Sequence, residues 1–172
     1  VGLWELGADK IADVLIPEGE FDMAADHTLR AEFEGELIQI YLDDMESPLL
    51  SVRSDTDNVR GKIAIVGNGD SAPVSFDDIK VETTSGTLRE DYEIALEPAT
   101  GAGFTAWEIA DDGTGNIVYD LASPAGWGML FADEGEEMLD GTLSADFKFD
   151  AADDNVGAEV RLRTDETGDA SG

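Results

Sequence analysis

Residues Leu37 to Val81 read LIQIYLDDMESPLLSVRSDTDNVRGKIAIVGNGDSAPVSFDDIKV, and this stretch decides the fold class. Apolar and polar residues alternate from Leu37 to Leu42, the pattern of a strand with one buried face. An apolar pair, Leu49-Leu50, and an Asp-rich turn, Asp55-Thr56-Asp57-Asn58, follow. A Gly-led strand then runs from Gly61 to Val66, a Gly/Asn/Asp turn reverses it, and Phe76 to Val81 closes the unit. The pattern predicts three or four antiparallel strands, because turn residues interrupt each apolar run before a helical period can build up.

The same alternation extends both ways. Gly2 to Gly7 and Lys10 to Ile16 read as strands separated from the next by the turn Pro17-Glu18-Gly19-Glu20. Thr28 to Glu34 alternates strictly, Gly35 breaks it and Leu37 resumes, which predicts a hairpin with Leu29, Ala31 and Phe33 facing the core. Downstream, Glu82 to Gly103 has linker composition around a short alternating run, Tyr92 to Glu97. Thr105 to Ala110 and Asn116 to Leu121 flank an Asp/Gly turn. Trp127 to Phe131, Thr142 to Phe149 and Gly157 to Arg163 supply three more strands. About a dozen short strands with turns roughly every 8–12 residues predict an all-β, antiparallel β-sandwich or jelly roll. At 172 residues the chain accommodates one such domain.

Charge sets it apart. Forty acidic residues against ten basic ones leave a formal charge of -30, while a hydrophobic fraction of 42% is that of an ordinary globular chain. Such a surface repels phosphate backbones and anionic lipid, which argues against nucleic-acid and membrane partners. The excess is spread along the whole chain, which favours adaptation to high salt over a single cation site. With no cysteine there is neither a disulfide framework nor a thiolate metal site, and the single histidine, His27, excludes His-rich zinc sites. No apolar run has the length of a membrane span. No signal peptide is recognisable, and the start at Val1 is read as a processed product or a segment of something longer.

The opening stretch resembles the C-terminal half of a concanavalin A-like (laminin G-like) jelly-roll domain. The likeness lies in Tyr41-Leu42-Asp43, Asp55, Gly61-Lys62-Ile63-Ala64-Ile65 and Phe76-Asp77-Asp78-Ile79-Lys80-Val81. The segment from Thr105 to Arg163 resembles the N-terminal half of that family, through the Trp107 strand, the Asn116 strand, Gly141 to Phe147 and Gly157 to Arg163. The halves therefore stand in circularly permuted order: residues 1–81, a linker at 82–103, and residues 104–172. A permutant closed on itself, a window cut from a tandem array, and a subunit completed by its neighbour would each produce this order.

Several constellations are candidates for chemistry. Gly67-Asn68-Gly69-Asp70-Ser71-Ala72 spells a dinucleotide fingerprint, but Pro73 and a β-run follow where a helix must begin, so it reads as a β-turn. Glu20, Asp22 and Asp26 suggest a glycoside hydrolase carboxylate pair, yet sit among turn residues and read as a solvated loop. Ser71 lacks a nucleophile-elbow context, and a Ser-His-Asp triad has no support. Oxygen-rich turns at Asp55-Thr56-Asp57-Asn58, Asp77-Asp78, Asp111-Asp112 and Asp153-Asp154-Asn155 are of the type calcium uses. Asp55 and Asp57 are the first choice because sandwiches of the resembled family often bind calcium on loops. Trp4, Trp107, Trp127, Tyr41 and Tyr119 are candidates for stacking on sugars or for the core.

The resulting expectation is a non-enzymatic, extracellular or cell-surface structural subunit that self-associates in a halophile surface structure or filament. The alternative is a carbohydrate-binding, lectin-like module of a secreted protein that recognises glycans. A glycoside hydrolase ranks third.

Overall fold

The computed structural model describes residues 2–4, 10–17, 19–54, 62–68, 72–83, 88–90, 96–98, 107–121, 127–132, 140–150 and 157–164. They form fourteen strands and no helix: β1 Gly2–Trp4, β2 Lys10–Asp13, β3 His27–Glu34, β4 Leu37–Leu42, β5 Leu50–Arg53, β6 Lys62–Asn68 and β7 Val74–Thr83. Then come β8 Leu88–Glu90, β9 Leu96–Pro98, β10 Glu108–Asp111, β11 Ile117–Leu121, β12 Trp127–Ala132, β13 Gly141–Phe149 and β14 Gly157–Thr164. An eight-stranded sheet has the order β10-β11-β7-β13-β3-β4-β5, with β8 also on β7; a four-stranded sheet has the order β14-β6-β12-β9; β1 and β2 pair separately. Every ladder is antiparallel. The all-β sandwich expected from alternation is the fold observed.

Period-two patterning explains the layers. In β3 the residues His27, Leu29, Ala31 and Phe33 are buried while their neighbours are not, and β13 repeats this with Leu143, Ala145, Phe147 and Phe149. Their partners Ile38 and Ile40 on β4 and Val74 and Phe76 on β7 point the same way and form one core cluster. Ile65 reaches that cluster from the second sheet, and Ala158, Val160 and Leu162 of β14 pack against it. Each large apolar side chain buried this way contributes about 1.5–3 kcal/mol.

Two local devices keep the layers in register. The β3–β4 turn places Gly35 at φ +52, the conformation a two-residue hairpin loop demands of its first residue. In β7 an extra residue bulges where the pairing with β13 slips between Ser144 and Asp146, and Asp78 takes φ +46 there. The bulge lets Phe76 and Ile79, three positions apart, both point into the core.

Gly67 shows why the fingerprint-like sequence contains its first glycine. A Cβ at this position would lie 2.5 Å from Val74 Cγ1 and 2.9 Å from Trp107 Cη2, so a side chain would force β6 away from the large sheet. The chain resumes as strand β7 at Val74, and no helix follows the glycines among the described residues.

Chain neighbours are not always spatial neighbours. From the opening stretch, β4 pairs with β5, but β6 belongs to the other sheet and β7 pairs with β13. β13 lies between β3 and β7, and β12 and β14 flank β6. The stretch read as a linker holds the end of β7, β8 paired to β7, and β9 paired to β12; its other residues lie outside the described set. β5 is a strand that the sequence showed only as an apolar pair followed by polar residues.

Candidate functional site

The outer face of the large sheet carries the polar groups, because alternation that sends Leu29 and Ala31 inward sends Thr28, Arg30 and Glu32 outward. Arg30 stands directly opposite Tyr41, and its guanidinium lies 4.1 Å from the centre of that ring. Arg30 Nη2 donates to the Met45 carbonyl at 2.7 Å, and the Tyr41 hydroxyl donates to Glu32 Oε2 at 3.0 Å. Arg30 Nε lies 3.2 Å from Glu32 Oε1, an ion pair without hydrogen-bond alignment. Burial, then the Glu32 carboxylate, holds the Tyr41 phenol above its ordinary value, against a smaller pull from Arg30. Although on the outer face, Tyr41 is only 6% exposed, so it is no platform for a sugar ring.

A second cluster surrounds His27. Its Nδ1 lies 2.8 Å from Asp43 Oδ2 and its Nε2 lies 2.6 Å from the Asp22 carbonyl oxygen, while the ring stacks on Phe21 at 4.0 Å. Both ring nitrogens therefore lie against acceptor oxygens, one from a carboxylate and one from a carbonyl. Asp43 holds its own turn as well: it sits at φ +59, and its Oδ1 accepts from the Thr28 amide at 3.0 Å. The cluster ties the loop before β3 to the end of β4.

Glu20 and Asp22, weighed as a catalytic pair, lie in this loop and not on a strand. Asp22 Oδ1 accepts from the Ala24 amide, and Asp26 pairs with Lys148 at 3.5 Å. Two of the four oxygen-rich turns lie among the described residues, with their carboxylates on partners within the chain. Asp111 Oδ1 accepts from the Gly113 and Gly115 amides, and Asp112 Oδ1 accepts from the amide and hydroxyl of Thr114. Those Thr114 bonds draw the Asp112 carboxyl below its usual range. Asp77 accepts from the Asn116 side chain at 2.5 Å, and Asp78 is the bulge residue, 3.8 Å from Lys80. Among the described residues no group of three or more His, Asp or Glu is arranged to hold a metal ion. Asp55 and Asp57, the calcium candidates, lie outside the described residues, as do Asp153, Asp154, Asn155 and Ser71.

The aromatic candidates sort by layer. Tyr119 belongs to the core cluster, and Trp107 packs edge-on against Phe76 with ring centres 5.4 Å apart. The side chains of Trp4 and Trp127 are outside the described set.

What sequence reading missed is the end of the sheet. β10 is an edge strand, and no described strand pairs with its far side. Ile109 is 65% exposed and Ile117 41%, on the same face of the β10–β11 hairpin as Tyr119. Beside them, burial and the charges of Asp150 and Glu108 push the Asp120 carboxyl up. The signal was present: Glu108-Ile109-Ala110-Asp111 has one apolar side chain on its inner face instead of the three of β3.

No protein-family model matches the chain, and no curated protein matches it. No helix among the described residues is long and apolar enough to cross a membrane.

Proposed function

We propose that this chain is a non-enzymatic structural subunit of an extracellular or cell-surface assembly that works in high salt. The observation that carries the reading is the eight-stranded sheet, which ends in the short strands β5 and β10 with no described strand on either far side. Open edges are templates for further pairing, and exposed Ile109 and Ile117 at one of them give a neighbour apolar surface to cover. A charge of -30 opposes association of like copies in dilute buffer and is screened within about 3 Å at 1 M salt. In this reading assembly is therefore salt-dependent.

The finer fold assignment is part of the same proposal: a concanavalin A-like jelly roll with its halves permuted. It is supported by the way β13 and β14, from the half read as N-terminal, lie beside β3, β7 and β6, from the half read as C-terminal. Calcium at Asp55 and Asp57 completes the reading as a loop-stabilising ion. A thermal melt with and without chelator tests it, and an unchanged midpoint removes the ion from the proposal.

Light scattering across protein concentration, at salt from dilute to molar, tests assembly. Mass that grows with concentration at high salt supports the structural reading. A monomer under every condition that binds on a glycan array would replace it with the carbohydrate-binding one.

A further inference from the structure

We infer that copies of this chain join head to tail by sheet extension, with β5 of one copy adding to β10 of the next. This rests on the assembly reading above and names its junction and its partner, a second copy of the chain.

The two edges match in face, in charge at Arg53 and Glu108, and in apolarity at Val52 and Ile109. Leu50 and Val52 of β5 lie opposite Ile40 and Ile38, two core residues, so Ser51 and Arg53 face outward. On β10, Ile109 shares the inward face with its partner Tyr119, so Glu108 and Ala110 face outward. The antiparallel register that overlaps all four residues sets Leu50 against Asp111, Ser51 against Ala110, Val52 against Ile109, and Arg53 against Glu108. It keeps inner with inner and outer with outer, a parity that a one-residue slip would destroy. Half-buried Val52 then covers Ile109, and Arg53 meets an opposite charge directly across the strands. Within its own chain Arg53 reaches Glu36 only at 3.8 Å, with both side chains largely exposed, so turning toward a neighbour sacrifices little.

The competing contact is weaker. Pairing β10 with β10 about a two-fold axis puts Ile109 on Ile109, but it gathers Glu108 and Asp111 of both copies around one short ladder. That contact also closes into a dimer, whereas joining two different edges propagates from copy to copy, into a ring if the rotation between copies closes and into a filament if it does not. At the other end β2 passes near β5 without pairing with it. Ala12 and Val14 pack against the core, and no described strand pairs with the far side of β5.

The test is a charge exchange read by light scattering and negative-stain microscopy at the lowest salt where the unaltered chain assembles. Arg53→Glu or Glu108→Arg alone is expected to weaken association about tenfold. The double variant Arg53→Glu/Glu108→Arg, and an equimolar mixture of the two single variants, are expected to restore it. Ile109→Lys, at a position exposed enough to leave the fold intact by circular dichroism, is expected to abolish it. Assembly of the unaltered chain that ignores the exchange, or that stops at a closed dimer, overturns the β5–β10 junction and leaves the structural role standing. A chain that never assembles overturns both.

Discussion

β13 and β10 lie in the same sheet and come from the same half of the chain, yet β13 is the sheet's middle strand and β10 lies at its edge. β13 has a strand on each side and four buried residues at alternate positions; β10 has a described strand on one side only, and every one of its residues retains solvent exposure. Alternation is imperfect in β10 and strict in β13. The difference teaches that the period-two signal measures how much of a strand the sandwich covers, beyond marking it as a strand.

The contrast can be broken by substitution. Leu143→Ala, in a fully buried site of β13, is expected to cost about 2–5 kcal/mol in urea unfolding, against less than about 0.5 kcal/mol for Ile109→Ser in β10. Equal losses would show that the edge is as integrated as the centre. Gly67→Ala tests how tightly the second sheet presses on the β7–β11 end, and the close approach to Val74 and Trp107 predicts a loss of about 1–3 kcal/mol.

Tyr41→Phe separates the polar outer face from the apolar inner one. It removes one hydrogen bond to a carboxylate and is expected to cost about 1 kcal/mol near neutral pH. Because the folded phenol titrates above its ordinary value of 10.0, its contribution is full below that pH and lost as pH rises through the folded value. The variant should therefore flatten the alkaline limb of a stability profile. The smallest effect is at the sheet end. Asp120 titrates above 3.8 in the folded chain, so its contribution is present below that pH and fades as pH rises through the folded value. Asp120→Asn should stabilise the chain at pH 7 by less than about 1 kcal/mol, read as a small rise in melting midpoint, and the gain should vanish in acid.

Fold class was legible because His27–Glu34, Leu37–Leu42 and Gly141–Phe149 each have a face to bury and Gly or Asp turns to end them. Pairing was not legible, since alternation tells which face a residue occupies and says nothing about which strand lies beside it. The site was harder still. His27 is a core-facing position by alternation, but its link to Asp43 depends on a turn residue sixteen positions away adopting a left-handed conformation. The clusters of acids stood out in sequence as cation candidates, and at Asp111 and Asp112 the structure assigns those oxygens to backbone amides.

The place of β13 between β3 and β7 also sets the order of events when the chain folds. Leu143 meets Ala31 across most of the length of the chain, and Thr28 hydrogen-bonds Asp146 from 118 residues away. Such separations put the rate in the slow, millisecond-to-second class of all-β proteins. During synthesis at roughly 5–20 residues per second, β3 and β7 wait on the order of several seconds, each with an unpaired edge, until β13 emerges. Through that interval the carboxylates spaced along the nascent chain repel its neighbours, so a charge of -30 also guards the half-made sheet.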